Sequence, residues 1–305
     1  MKTSPRSSHR IEFLHRPGLT LDDASFRRLV EGVRGVAAEC FDELPDYQCM
    51  RGTRNELSDK VMTLAWRPDG TLAGFCSAVL LDVPRVGSVL HLGLTCVSDR
   101  DRSAGLTHRL TSKLAIQYLL RHRPLSRVWV TNVACVLSSL ANVGRHFDQV
   151  FPSADGPERP SATHRRIAEA VDALYRDKIY IRADAALDRE AFVFRGSVRG
   201  TVFQKDEDDA RFHHRDRASN RFYSSLMDFE NGDEILQIGS MSLLTGLRYL
   251  KRRRPTARPA PRVPAWQPVP TLATRATSPT LPAPSTGLPA LTQRDRATPR
   301  ESLRA

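Results

Sequence analysis

Cysteine is scarce in this chain and never occurs in the close spacing that metal and redox sites use. Five cysteines are spread over 305 residues, and none forms a C-x-x-C pair; they are Cys40, Cys49, Cys76, Cys96 and Cys135. An odd, scattered set argues against a disulfide framework and against a cysteine-based zinc site. We therefore expect reduced thiols in a cytoplasmic protein, and we predict no bound metal.

Long apolar runs and several common motifs are missing as well. No run reaches the ~20 residues that a membrane-spanning helix needs, and Met1 to Leu21 hold no apolar segment of the kind a secretion signal carries. There is no G-x-x-x-x-G-K-(S/T) phosphate loop, no G-x-S-x-G elbow and no H-E-x-x-H metal motif. The sequence thus argues against membrane-spanning proteins, P-loop nucleotide hydrolases and zinc proteases.

Positive charge is abundant but unevenly distributed. The formal net charge is +12, and residues 251–305 carry eleven Lys and Arg against two acidic residues, so most of the excess lies there. Eleven of the 20 prolines also fall between 255 and 299. Such a composition cannot bury enough apolar area to offset the entropy lost on ordering. We predict a disordered basic tail over 251–305, with an anionic partner as one role for it.

The most informative stretch runs from Val89 to Leu119. Its first residues, VLHLGLTCV, form an apolar run typical of a buried strand, and a short charged connection follows. From Ala104 the apolar residues recur at helical spacing instead. A polar turn that opens into a helix favours anion binding, because the first helical N–H groups have no partner within the helix. The pattern predicts a phosphate site at the start of this helix.

The same residues resemble the acyl-CoA loop of the GCN5-related N-acetyltransferase (GNAT) superfamily, written V-x-x-x-x-(Q/R)-G-x-G-x-(G/A). Val97, Arg102 and Gly105 match that pattern, whereas Ser103 replaces the first glycine and Thr107 the final small residue. The resemblance implies that acetyl-CoA or another acyl-CoA binds at Val97, Arg102, Ser103, Ala104, Gly105, Leu106 and Thr107. An ordinary basic turn between a strand and a helix is the alternative.

The resemblance also implies an activity, the transfer of an acyl group from CoA to an amine by direct attack. In the family the base often lies on the strand before the loop, where this chain has His91, and period-two alternation predicts that His91 shares a face with Gly93 and Thr95. His146, near the end of a later predicted helix, is a second candidate and would protonate the leaving thiolate. The alternative for His91 is a surface or hydrogen-bonded strand histidine, and the alternative for His146 is a surface imidazole.

The order of predicted elements agrees with a GNAT-like α/β fold: a mixed, mostly antiparallel central sheet flanked by helices. The central strand is preceded by a strand near Ile11, by a helix capped at Thr20 or Asp22 that runs to about Glu43, and by a hairpin around Pro68-Asp69-Gly70. We predict an acyl-CoA-binding core over 1–155, an α+β extension over 156–250 that shapes the acceptor side, and the tail over 251–305. Short strands are expected in the extension at 191–195, 200–204 and 234–240.

Two other functions fit the same sequence. The departures at Ser103 and Thr107 allow a non-catalytic GNAT-like module that binds CoA or a protein partner. The basic tail allows a nucleic-acid-associated protein. The sequence does not identify the acceptor amine.

Overall fold

The computed structural model describes residues 9–246, apart from the side chains of Gln48, Ser103 and Ala104. Nine strands lie in this range: β1 (Arg10–His15), β2 (Lys60–Trp66), β3 (Leu72–Val83), β4 (Gly87–Val97), β5 (Val128–Ala134), β6 (Asp148–Phe151), β7 (Ala186–Asp188), β8 (Val193–Arg195) and β9 (Glu234–Met241). The helices in the same range are α1 (Pro17–Thr20), α2 (Asp23–Ala38), α3 (Gln48–Arg51), α4 (Leu106–His122), α5 (Leu137–His146), α6 (Ala162–Leu174) and α7 (Arg217–Ser224).

The strands form one sheet in the order β1-β2-β3-β4-β5-β9-β8-β7, with β6 also paired to β9. The pairing of β4 with β5 is parallel, and the other strand pairs in the described range are antiparallel. Helices cover both faces. The predicted mixed, mostly antiparallel sheet flanked by helices is therefore confirmed.

The β2–β3 hairpin closes where the sequence predicts it. Gly70 has φ +83°, a conformation that glycine adopts without steric cost. The Asp69 carboxylate accepts hydrogen bonds from the backbone N–H and the hydroxyl of Thr71, at 2.9 and 2.7 Å. These contacts satisfy the turn locally and fix the register of the two strands.

Helix α2 begins after Asp22, one of the two predicted caps, but ends earlier than predicted. The Asp22 carboxylate accepts a 2.9 Å hydrogen bond from the Ser25 N–H, and the helix stops at Ala38 rather than near Glu43. The next residues bind the end of β4 instead: Glu39 accepts a 2.6 Å hydrogen bond from the Ser98 hydroxyl. The Cys40 thiol contacts the Val97 carbonyl at 3.5 Å. The chain thus leaves the helix to anchor α2 over the loop that follows β4.

The sheet separates apolar layers. Helix α4 packs Leu106, Leu110 and Leu114, all fully buried, against one face. On the other face, α2 contributes Phe26, Leu29 and Val33 to one cluster, and α6 contributes Ile167 and Val171 to another. Both ends of the central strand β4 are therefore covered by helices.

Strand β9 joins the C-terminal region to the central sheet. It pairs with β5 from Ile235 to Met241, with Val128 opposite Met241 and Ala134 opposite Ile235. Residues 156–233 lie between β6 and β9 in the chain and contribute α6, β7, β8 and α7. The predicted boundary at residue 155 stays a prediction, but the sheet itself continues across it.

Two expectations about the C-terminal region remain to be placed. The predicted strand at 200–204 is wrong: these residues form turns, with hydrogen bonds from Thr201 N–H to Val198 O and from Gln204 N–H to Thr201 O. The predicted basic tail lies outside the described residues.

Across residues 9–246, none of the helices combines the length and the apolar character needed to cross a membrane.

Candidate active site

A cavity opens where β4 and β5 stop pairing. The two strands are hydrogen-bonded only from Val89–Leu92 to Trp129–Asn132, although β4 continues to Val97. Beyond that point lies a cavity of about 870 Å³, lined by the ends of both strands, by α4 and α5, and by residues of the α2–α3 loop and of the C-terminal region. The backbone of β4 beyond Leu92 therefore faces the cavity on its β5 side.

A bulge in β4 lies beside this opening. Ala78 of β3 is opposite Leu92, yet Cys76 is opposite Thr95, so β4 has one extra residue between these pairs. A bulge of this kind exchanges the faces of the residues that follow. Thr95 accordingly lies on the α4 side, where its hydroxyl and that of Thr111 act on the Cys76 thiol. The predicted shared face of His91 and Thr95 is wrong for this reason.

The predicted acyl-CoA loop has the form of a turn before a helix. Residues Asp99–Ala104 make a 3-10 helix, Gly105 follows at φ +63°, and α4 begins at Leu106. A Cβ at Gly105 would meet no atom within 4 Å, so the backbone is open to a ligand there. The backbone path of Ser103 and Ala104 belongs to the 3-10 helix.

The side chains of this loop divide between core and surface. Val97 and Leu106 are buried against α4 and the sheet, and Thr107 lines the cavity. The Arg102 side chain is 57% exposed and forms a 2.7 Å ion pair with Asp99. Of the seven predicted acyl-CoA residues, the geometry thus brings Gly105 and Thr107 to the open side, while the side chains of Val97 and Leu106 support the loop from beneath.

A second, polar cavity of about 1070 Å³ adjoins the first and shares His108 and His146 with it. Its lining includes Arg145 and Arg215 and the imidazoles of His213 and His214, together with Asp148, Asp155 and Asp216. With the imidazoles neutral, two guanidinium groups thus stand against three carboxylates. The feature that favours an anion is the start of α4 itself, where the first backbone N–H groups have no partner within the helix.

His91 is enclosed in the sheet layer. Its side chain is only 1% exposed, and Nδ1 lies 3.0 Å from the Thr131 hydroxyl on β5. Burial, together with the nearby Lys60 ammonium, lowers the pKa of His91 to about 3. His91 is not among the described residues that line the cavity. Its role as the base stays a prediction, and this environment opposes it.

His146 lies at the end of α5 and lines both cavities. Its ring centre is 5.5 Å from that of His108 in the first turn of α4. The two imidazoles thus meet between the α4 start and the cavity. The role of His146 as proton donor to a leaving thiolate stays a prediction.

Glu234 is the ionisable cavity residue that the sequence reasoning missed. It opens β9, is 8% exposed, and accepts a 2.7 Å hydrogen bond from the Ser197 hydroxyl. Burial raises the pKa of Glu234 to about 7, an effect that the Ser197 hydrogen bond only partly offsets. The sequence does hold a signal for this residue, because Glu234 directly precedes the predicted strand residues ILQIGS. A buried carboxyl group that titrates near neutral pH is typical of a general acid or base.

Four aromatic side chains surround the Glu234 end of the cavity. Phe41 and Tyr47 come from the α2–α3 loop, and Tyr180 and Phe203 come from the C-terminal region. Their ring centres lie 5.2 to 5.7 Å apart in edge-on contacts that all form around Phe203 and Tyr47. We call these four residues the aromatic wall.

The described residues offer little to a metal ion. Within 9–246 there is no group of three or more His, Cys, Asp or Glu side chains placed to hold one. Nε2 of His213 lies 2.6 Å from the Glu207 carbonyl oxygen, and Nδ1 of His214 accepts a 3.1 Å hydrogen bond from the Asp216 N–H.

Comparison with known proteins gives structural neighbours only. No family model matches the chain, and no curated protein sequence matches it either. An acyl-CoA N-acyltransferase from Pseudomonas aeruginosa is similar over 45% of this chain and 86% of its own, with 25% identity and a TM-score of 0.33. A GNAT-family acetyltransferase from Staphylococcus aureus Mu50 covers 48% and 90%, with 12% identity and a TM-score of 0.32.

A third neighbour is the ribosomal-protein-alanine N-acetyltransferase of Brucella melitensis biovar Abortus 2308, which covers 37% of this chain and 75% of its own, at 20% identity and a TM-score of 0.28. Because these scores are low, any function proposed for the chain has to rest on its own residues. All three neighbours are named as acyltransferases or acetyltransferases.

Proposed function

We propose that this protein transfers an acetyl or other acyl group from acyl-CoA to an amine by direct attack of the amine nitrogen. The observation that supports this best is the single cavity between the diverging ends of β4 and β5. It is bounded at one end by the start of α4 and at the other by Glu234 and the aromatic wall. A thioester and an amine entering from opposite ends would meet between the strands.

The CoA phosphates have a natural binding place at the start of α4. The first N–H groups of this 17-residue helix have no partner within the helix, and they favour negative charge there together with the helix dipole. Gly105 leaves the backbone accessible, and Arg145 and Arg215 line the adjoining polar cavity. Arg102 can contribute once it exchanges Asp99 for a phosphate.

The pantetheine arm would run along β4 beyond Leu92. The backbone of Gly93, Leu94 and Thr95 has no β5 partner on that side, so its polar groups can bond to the amide groups of the arm as an added strand would. The same backbone supplies N–H donors for the negative charge that develops on the thioester oxygen.

The reaction then needs only proton transfers. The amine lone pair forms the C–N bond, the C–S bond breaks, and CoA leaves as a thiolate. A primary amine of pKa ~10.4 is largely protonated at neutral pH, so its protons must be removed. In this proposal Glu234, which lines the cavity, accepts one proton before the attack, and a second proton leaves the nitrogen after it. His146, which lines the same cavity, protonates the thiolate.

Binding of acetyl-CoA to the full-length chain, measured by calorimetry, tests the donor half of this proposal. Thr107→Glu places a negative charge in the first turn of α4 and should weaken binding at least tenfold. Ser126→Glu, on the exposed α4–β5 loop, is the matched control and should bind like the wild type. No binding by folded wild-type protein would overturn the proposal. Binding without turnover of any amine would leave the non-catalytic CoA-binding module.

A further inference from the structure

We infer that the acceptor is a small primary amine with an apolar or aromatic body and a single positive charge. This inference rests on the proposed function and concerns the Glu234 end of the cavity. It is supported by the chemistry of that end: four aromatic rings, one carboxylate and one nearby ammonium group.

The aromatic wall sets the first preference. Phe41, Tyr47, Tyr180 and Phe203 present ring edges and faces from two sides of the cavity. Rings of this kind bury an apolar body well and attract a cation held over their faces. A strongly hydrated, hydroxyl-rich acceptor such as an aminosugar would lose its water here without regaining comparable hydrogen bonds.

Glu234 sets the second preference. Among the described residues that line this cavity it is the only carboxylate. One of its carboxylate oxygens accepts the hydrogen bond from Ser197. Tyr47 and Cys135 lie close enough that the charge of Glu234 raises the pKa of each. A buried carboxylate beside aromatic rings is a binding site for one ammonium group, and it can then take a proton from that group.

Lys205 limits the total charge of the acceptor. It lines the same cavity, donates a 2.7 Å hydrogen bond to the Val202 carbonyl and lies 5.2 Å from the Phe212 ring centre. Its ammonium group influences the same Cys135 thiol as Glu234 does. A second positive charge on the acceptor would be repelled, so polyamines should be poor substrates.

The volume of the cavity limits the size of the acceptor. The cavity measures about 870 Å³, which lies in the range of small-molecule sites. It suits a small amine and not the folded surface of another protein.

The test uses the full-length protein with acetyl-CoA and follows acetylated product by mass spectrometry. The amines are 2-phenylethylamine and hexylamine on one side, and spermidine, glucosamine and an alanine-initiated peptide on the other. We expect kcat/KM for the first pair to exceed that for each of the others at least tenfold. Lys205→Glu should reduce the ratio of kcat/KM for 2-phenylethylamine to kcat/KM for spermidine. Lys205→Gln should reduce the same ratio by less.

A pair of phenylalanine variants localises the effect. Phe203→Ala should raise KM for 2-phenylethylamine about tenfold while acetyl-CoA binding stays unchanged. Phe222→Ala, on α7 and away from the cavity lining, is the matched control and should leave KM within twofold, with both variants checked for cooperative unfolding.

The outcomes separate the two proposals. Failure to bind acetyl-CoA would overturn the proposed function. Normal acetyl-CoA binding with preferred acetylation of spermidine, glucosamine or the peptide would overturn the acceptor inference and leave acyl transfer standing. Acetyl-CoA binding with no acetylation of either apolar amine would also overturn the acceptor inference.

Discussion

Asn132 and Gln237 face each other across the pairing of β5 with β9, and the Asn132 side-chain NH2 donates a 3.2 Å hydrogen bond to Oε1 of Gln237. Gln237 in turn donates to the Tyr223 hydroxyl at 3.0 Å and to the carbonyls of Leu140 and Pro152. The two amides are buried at the point where β4 leaves β5. They therefore fix β5 to β9, α5 and α7, so that the gap toward β4 stays open.

Replacing Gln237 with Leu should destabilise the fold. The change leaves Asn132 Nδ2 and the Leu140 and Pro152 carbonyls without this partner in a dry environment, which costs about 2–4 kcal/mol. Urea denaturation measures the loss. Gln117→Leu on the half-buried side of α4 should stay within about 0.5 kcal/mol, and equal losses in the two variants would contradict this account.

The rate of acyl transfer should follow the ionisation of Glu234. Since burial raises the pKa of Glu234 to about 7, the wild-type rate at saturating amine should rise with pH up to that value and then level off. Glu234→Gln should lower kcat by about 10²–10⁴ and abolish this rise, because the amide accepts no proton. Glu230→Gln, on the exposed turn before β9, should keep the wild-type profile; an unchanged profile in Glu234→Gln would exclude Glu234 as the base.

The same group should make stability depend on pH. The folded-state pKa of Glu234, about 7, lies above its ordinary value of 4.5, so ionisation is easier in the unfolded chain. The free energy of unfolding therefore falls as pH rises from 4.5 to 7. Below pH 4.5 the carboxyl group is protonated in both states and adds no pH dependence. Glu234→Gln should be more stable than wild type by ~3 kcal/mol at pH 8 and equally stable at pH 4. Paired urea titrations at the two pH values measure this, and a constant difference would contradict it.

His91 should not titrate in the physiological range. Burial and Lys60 lower its pKa to about 3, so its imidazole stays neutral in the folded protein while that of the unfolded chain is protonated below pH 6.5. Folding stability is thus lost as pH falls from 6.5 toward 3. NMR of the ¹⁵N-labelled imidazoles between pH 5 and 8 should show no pH-dependent change in the chemical shifts of His91. A midpoint near 6.5, together with loss of the pH-dependent rate in His91→Gln, would restore His91 as the candidate base.

Elements with a strong local pattern were predictable from the sequence. The Pro-Asp-Gly turn placed the β2–β3 hairpin, Thr20 or Asp22 marked the start of α2, and the leucines from Leu106 onward placed α4. The resemblance of the loop to a known family indicated how these elements are arranged in the fold.

The parts that were not predictable depend on contacts distant in the chain. The extra residue of β4 is defined only by its pairing with β3, and it moves Thr95 to the other face from His91. Glu234 reaches the cavity because β9 pairs with β5, which precedes it by about a hundred residues. No local periodicity encodes either relationship, so the sequence alone indicated neither the face of Thr95 nor the position of Glu234 in the cavity.

The position of β9 between β5 and β8 has a consequence for biosynthesis. Because the chain emerges from the ribosome with its N-terminal part first, β1 to β5 are made before the strand that completes them. Until residues 234–241 appear, β5 presents an open strand edge, the kind of surface that recruits other chains. The segment that brings in Glu234 is thus also the one that closes this edge, so a nascent chain loses its exposed edge at the same step at which the cavity gains its carboxylate.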